Sequence, residues 1–308
     1  MKTSPRNASG YRAKDLHMDT LPTIQSSSCA SLWIENLVNG LAGTTIRAKR
    51  AVFSDASPFQ KIEVFDTYSF GRVLCLADIV VLTERDEFIY HEAIVHPALL
   101  MHPKPRRVCI IGGGDGGCLK EVLKYPEVAS ATVVEIDRLV KETATAYFPS
   151  LAVGFSDPRA KVVIADGCSF LDTTSELYDV IIVDSFDPGG PVQSLETIGF
   201  YKLVHSHLDK GGIAVFQTDS PTMKSDALRN TITRVSSLFD GYKVFVCTLP
   251  SFPESICSFC ICVNDTTQLA NFDKKRFETI AASCKYYNEA VHQGAFLLPE
   301  YIKRAMGL

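Results

Sequence analysis

One stretch, Cys109–Glu121 (CIIGGGDGGCLKE), constrains this chain more than any other. Val108–Ile111 reads as a buried strand, and Leu119, Val122 and Leu123 carry the helical spacing that follows. Between them lie Gly112, Gly113, Gly114, Gly116 and Gly117, which let the backbone turn sharply and approach a ligand without side chains intervening. About 20 residues on, a second apolar strand, Ala131–Asp137, carries Glu135 near its end. A glycine turn followed by a carboxylate at the next strand tip is the layout of a nucleoside site, with the acid for the ribose hydroxyls. Alone, the glycines would describe no more than a tight strand-to-helix junction. Asp115 inside the loop would repel a pyrophosphate, which argues against NAD.

The rest of the chain supplies the frame. Residues 1–30 are rich in Ser, Thr, Lys and Arg without apolar periodicity and read as a disordered tail. Order begins at Leu32-Trp33, and Thr44–Phe53, Phe59–Asp66, Gly71–Leu76 and Ile79–Leu82 read as short strands of a small antiparallel β domain over 31–83. A helix is expected over Glu84–Leu100, with Thr83 as N-cap and Glu84, Asp86 and Glu87 in its first turn. From there to residue 308 strand and helix alternate. The strands are expected at Val108–Ile111, Ala131–Asp137, Ala160–Ala165, Tyr178–Val183, Gly212–Gln217 and Tyr242–Leu249. Continuous apolar strands joined by helices predict an α/β fold with a parallel-rich sheet covered on both faces. Ligands of such sheets bind beyond the carboxyl ends of the strands, and Asp115, Glu135, Asp166 and Asp184 all fall there, with Asp187 close behind.

Composition narrows the partners. The formal net charge of −4 argues against nucleic acid and favours cationic ligands. No stretch approaches the ~20 apolar residues of a membrane span, and no hydrophobic segment follows the N-terminal cations, so a cytoplasmic protein is expected. Ten scattered cysteines, several inside apolar strands, fit free thiols rather than a disulfide framework. Cys257, Cys260 and Cys262 invite a metal reading, but SICSFCICV is a strand pattern without a second ligand pair, so no metal site is expected there.

A crevice with this many carboxylates wants a cation. Magnesium is one candidate; an organic amine fits better, because Tyr90, Phe186 and Phe252 lie in the same loops and could line an alkyl chain. Asp184–Pro191 (DSFDPGGP) is an irregular segment after a buried strand, placed to close over substrate; the bland alternative is a loop in which an Asp helps to cap the next helix.

GGGDGG (Gly112–Gly117), VEID (Val134–Asp137), ADG (Ala165–Gly167), DSFDPGGP (Asp184–Pro191) and KYYNEAVH–AFLLP (Lys285–Pro299) together resemble the spermidine synthase family of aminopropyltransferases. Phe59-Gln60 and TERDEFIYHE (Thr83–Glu92) resemble it too, so the likeness runs from about Trp33 to Leu308. The resemblance implies a methyltransferase-like Rossmann domain behind a small β domain, and a homodimer. It also implies transfer of an aminopropyl group from decarboxylated S-adenosylmethionine, a co-substrate rather than a resident cofactor, to putrescine. Carried onto this sequence, it puts Asp115 on the donor's ammonium, Glu135 on the ribose and Asp166-Gly167 on the adenine. Gln60 and Pro191 fall on other parts of the nucleoside, Asp184 takes the acceptor's proton, and Asp187 holds its distal ammonium beside Tyr90 and His91. His91 by itself could be a satisfied core histidine.

Three positions depart from the family. Val81 stands where a glutamine is usual, Phe252 where a tyrosine is, and Phe186 where a serine is. Each removes a polar group from the acceptor side, which turns attention to longer amines of the spermine or thermospermine type. Methyl transfer to an amine is disfavoured by the retained Asp115. A catalytically impaired regulatory paralogue is disfavoured by Asp184 and favoured by the altered acceptor side.

Overall fold

The computed structural model describes residues 31–38, 40, 42–185 and 191–307. The expected N-terminal tail and Asp187 lie outside these residues. Residues 32–308 form one compact unit built on two sheets.

The first sheet is antiparallel, in the order β1 (Leu32–Val38), β2 (Ala42–Ala56), β3 (Lys61–Thr67), β4 (Arg72–Leu76), β5 (Ile79–Thr83). Its first strand was legible only as the onset of order at Leu32-Trp33. β4 and β5 join through Ala77 (φ +48°) and Asp78 (φ +66°), a tight hairpin turn with both central residues left-handed and neither a glycine. One side packs as Ile34, Ile46, Phe65, Val73 and Val80. The other, Ile62, Val64, Leu74 and Leu82, packs on Val140, Phe148 and Leu151 of the second half.

The helix α1 spans Glu87–Met101, three residues later than the sequence suggests. Thr83 does not cap it. Thr83 is the last residue of β5, paired with Val73, and its hydroxyl donates to the carboxylate of Asp86, which sits at the N-cap. Strand pairing therefore outcompetes capping at this threonine. From Tyr90 to Met101 every residue of α1 is buried, as expected for a helix covered on all sides.

The second sheet has the order β11-β12-β10-β9-β6-β7-β8. Its strands are β6 (Arg107–Gly112), β7 (Ser130–Glu135), β8 (Ala160–Ile164), β9 (Tyr178–Asp184), β10 (Leu208–Thr218), β11 (Gly241–Thr248) and β12 (Ile256–Val263). β8, β7, β6, β9 and β10 pair in parallel, whereas β12 runs antiparallel between β10 and β11. Strand alternation puts Cys257 in one core and Cys260 and Cys262 in the other, so the three thiols cannot converge on an ion.

The helices cover both faces. α1 and α2 (Gly117–Val122) lie on one side, with α3 (Arg138–Tyr147) and α4 (Pro149–Ala152) beyond them against the first sheet. α5 (Gly167–Thr173), α6 (Ile198–Ser206) and α7 (Ser225–Ser236) cover the other side, joined there by the C-terminal α10 (Glu300–Met306). α8 (Lys274–Ile280) and α9 (Glu289–Ala295) return to the α1 side. Chain order reverses between β6 and β9, and such a reversal opens a crevice at the strand ends. Among the described residues no helix is long and apolar enough to cross a membrane.

Candidate active site

The crevice at that reversal is a cavity of about 1030 Å³, counting its open mouth. Gln60, Tyr90, His91, Asp115, Glu135, Asp166, Gly167 and Asp184 all line it, together with Val81, Gln217 and Phe252. Of the residues picked from sequence, Asp187 lies outside the described residues, and Pro191 is described only as the start of a 3₁₀ turn over Pro191–Glu196.

The glycine loop is shaped by what presses on it. Gly112 has φ +85°, and a Cβ there would lie 2.1 Å from the carbonyl oxygen of Asp184. At Gly114 a Cβ would lie 2.5 Å from Glu135 Oε2, where instead the Gly114 amide donates to that oxygen at 3.0 Å. The Asp137 amide donates to the other carboxylate oxygen at 2.8 Å. Burial pushes Glu135 up to about 7, against the pull of these two amides and with added repulsion from Asp137 and Asp115.

Asp115 accepts from the Gly117 amide at 2.6 Å and faces His91 Nε2 at 3.5 Å. The other ring nitrogen of His91 is 2.7 Å from Glu87, which Lys120 approaches at 2.9 Å. Burial by itself would lower the imidazole, but Asp115 and Glu87 overcome it and hold His91 well above its ordinary value. Burial likewise works to raise Asp115, yet the imidazolium and the Gly117 amide keep it below the usual range. His91 therefore backs Asp115, with both ring nitrogens engaged.

Asp184 ends β9. Its Oδ1 accepts from the Tyr90 hydroxyl at 2.6 Å and its Oδ2 from the Cys118 thiol at 3.0 Å. Burial first, then the neighbouring Asp115 charge, raise Asp184 above the usual carboxylate range; His91 and the two donors pull the other way. Burial also raises Tyr90 and Cys118 well above their ordinary values, so both keep the protons they donate. The result is two nearby acids with opposed tendencies, Asp115 ionised and Asp184 basic, which is a pattern of functional sites.

Asp166 is the N-cap of α5, accepting from the Ser169 amide at 2.8 Å, while its second oxygen accepts from Ser194 at 3.2 Å. Gln60 reaches the cavity from the loop before β3, and its amide nitrogen donates to Asp137 at 3.2 Å. Ser57 donates to the same oxygen at 2.6 Å, tying this loop to the tip of β7.

Four residues escaped the sequence reading. Gln217, at the tip of β10, has its side-chain amide 2.8 Å from the Tyr90 hydroxyl, whose one proton goes to Asp184; the rule that placed the acids at strand tips could have found it. Cys118 directly follows the glycine loop, and no pattern marks it as a donor to Asp184. Glu87 and Lys120 become visible only once α1 and α2 pack together. The wall carrying Phe252 is held by Asp86, which accepts from the amide and hydroxyl of Ser251 at 2.9 and 3.1 Å. Buried Asn36 of β1 adds a bond to the Ser251 carbonyl at 3.3 Å.

Comparison with known proteins agrees with this geometry. Residues 87–274 match the family model described as the spermine/spermidine synthase domain, and residues 32–84 match the spermidine synthase tetramerisation domain. A polyamine aminopropyltransferase of Shouchella clausii (strain KSM-K16) is 36% identical over 261 residues, covering 85% of this chain and 94% of the relative. That of Bacillus subtilis (strain 168) is 35% identical over 273 residues, covering 89% and 98%. A spermidine synthase solved with the transition-state analogue AdoDATO superposes with a TM-score of 0.86 at 34% identity, covering 90% of this chain and 95% of that one. The spermidine synthase of Thermotoga maritima gives 0.84 at 34%, covering 90% and 94%. A nucleoside-type glycine loop, an acid-lined crevice and this likeness along most of the chain place the protein in the spermine/spermidine synthase family, among the aminopropyltransferases of polyamine biosynthesis.

Proposed function

We propose that the chain transfers the aminopropyl group of decarboxylated S-adenosylmethionine to putrescine, giving spermidine and methylthioadenosine. The observation that carries this reading is the placement of Asp184, a half-buried basic carboxylate held by Tyr90 and Cys118 in the lining of the cavity that also holds Asp115 and Glu135. In this reading Glu135 accepts from the ribose hydroxyls, Gln60 and Asp166-Gly167 border the nucleoside, and Asp115 pairs with the donor's ammonium. The acceptor nitrogen attacks the methylene beside the sulfonium: a C–N bond forms, the C–S bond breaks, and its electron pair goes to sulfur as the neutral thioether. The proton displaced from nitrogen goes to Asp184. Asp187 is assigned the acceptor's far ammonium, as expected from its motif. The enzyme works as an oligomer in the reducing cytoplasm, in keeping with described cysteines that are all free and with Trp33 exposed on the edge strand β1.

A second reading, a longer acceptor, is favoured by one feature. A further cavity of about 1300 Å³, counting its open mouth, shares Gln217 and Phe252 with the first and is bordered by Glu35, Asp78 and Glu254. A polyamine with a third cationic nitrogen could extend into it. Incubation with decarboxylated donor and a panel of amines, read by mass, separates the two readings. Asp184→Asn should lower turnover by roughly 100-fold or more with donor affinity little changed. Near-normal turnover in that variant would remove Asp184 as the base.

A further inference from the structure

Beside α1, three donor atoms from distant parts of the chain meet: a carboxylate oxygen of Glu92, a ring nitrogen of His96 and the thiol of Cys284, all within 4.8 Å of one another. We propose that Glu92, His96 and Cys284 form a structural site for a zinc-type divalent cation, with Glu121 as the fourth donor.

Geometry supports this first. Glu92 and His96 stand four residues apart on one face of α1. Cys284 Sγ lies 3.6 Å from His96 Nε2, and Glu121 Oε2 lies 3.3 Å from the same nitrogen. Zinc bonds of ~2.0 Å to nitrogen or oxygen and ~2.3 Å to sulfur, set at the tetrahedral angle, span about 3.5 Å for an N–S edge and about 3.3 Å for an N–O edge. The edges from His96 to Cys284 and to Glu121 are thus already at length, Glu92 stands within 4.8 Å of His96 and Cys284, and Glu121 joins the set on release from Lys124.

The second argument is the orientation of the His96 ring. His96 Nδ1 is 2.9 Å from the Tyr125 hydroxyl; with that nitrogen protonated and donating, Nε2 presents its lone pair toward Cys284 and Glu121. Glu121 is 1% exposed, and its Oε2, ion-paired with Lys124, faces the same nitrogen of His96. One soft, one intermediate and two hard donors make the set that suits zinc rather than magnesium or calcium.

The charges around the site are those a cation needs. Glu92 and Glu121 face it, and the balancing groups are Lys124, 3.9 Å from Glu92 and ion-paired with Glu121, and Lys120, 3.6 Å from Glu121 on its other oxygen. Lys124 is the internal competitor: its ammonium occupies the same field, and its long, partly exposed side chain can withdraw to solvent. A bound ion would clamp the segment Lys285–Tyr287, whose three amides already donate to Glu92, onto the helix that carries Tyr90 and His91.

Titration of the chelator-treated protein with Co²⁺ and with Zn²⁺ tests the site. Wild type should bind one equivalent, show the sulfur-to-cobalt charge-transfer band with tetrahedral d–d absorption, and gain melting temperature with zinc. Cys284→Ala, at a half-buried position, should lose the band and the thermal shift. Lys124→Met should tighten zinc binding roughly tenfold or more by removing the competing charge. Absence of a tetrahedral cobalt spectrum in wild type, an unchanged band in Cys284→Ala, or equal affinity in Lys124→Met would each overturn the proposal.

Discussion

Glu135 offers the sharpest test, because its pKa of about 7 puts its charge change inside the working pH range. A carboxylate accepts from both ribose hydroxyls, whereas the protonated acid has lost part of that capacity. If only the ionised form binds the ribose well, apparent affinity scales with the ionised fraction, roughly one-tenth at about pH 6 and nine-tenths at about pH 8. Methylthioadenosine should therefore bind about tenfold more tightly at the higher pH. This ligand lacks the aminopropyl ammonium, so the Asp115–His91 pair contributes no opposing trend. Stability of the ligand-free protein should run the other way. An acid raised in the folded state carries no penalty below its unfolded value of 4.5, and the penalty is complete above about 7. Across that window the fold should lose on the order of 3 kcal/mol, since each pKa unit is worth about 1.4 kcal/mol. Glu135→Gln should flatten both profiles. Calorimetric titration and denaturant melts at several pH values give the two readouts. A pH-independent affinity in wild type, or the same dependence in Glu135→Gln, would refute the reasoning.

Tyr90→Phe removes a 2.6 Å hydrogen bond to the Asp184 carboxylate. Bonds to charged groups contribute about 1.5–3 kcal/mol, so the acidic limb of the kcat/KM profile should move up by about 1–2 pH units. An unmoved limb would mean that Tyr90 does not tune the base. Val81→Gln with Phe252→Tyr restores polarity to the acceptor wall and should raise the preference for putrescine over cadaverine or spermidine; an unchanged ratio of catalytic efficiencies would show that these positions do not set acceptor choice. Ala77→Gly should stabilise the protein by about 1 kcal/mol in urea melts, because Ala77 is held at φ +48° in the β4–β5 turn. No gain would mean that the turn relaxes without cost.

Periodicity carried much of this protein on the surface of its sequence. Uninterrupted apolar runs such as Val108–Ile111 and Tyr178–Val183 could be stable only inside a covered sheet, and the acids at their ends had one crevice to enter. The glycine loop and Glu135 were legible because the contact between them is dictated by backbone geometry: only a residue without a Cβ leaves room for that carboxylate. What tertiary structure alone decided was partnership. Nothing near Thr83 in sequence says that pairing with Val73 will keep it in a strand and hand the helix cap to Asp86. Strand alternation in SICSFCICV was readable, but its antiparallel insertion between β10 and β11 is a property of the whole sheet. The opposed tendencies of Asp115 and Asp184 arise from groups brought together across the chain: His91 from α1 against the first, Tyr90 and Cys118 against the second. Local spacing sets which elements form and which residues stand at their ends. Burial and charge pairing depend on neighbours distant in sequence, and those neighbours decide what each acid at a strand tip can do.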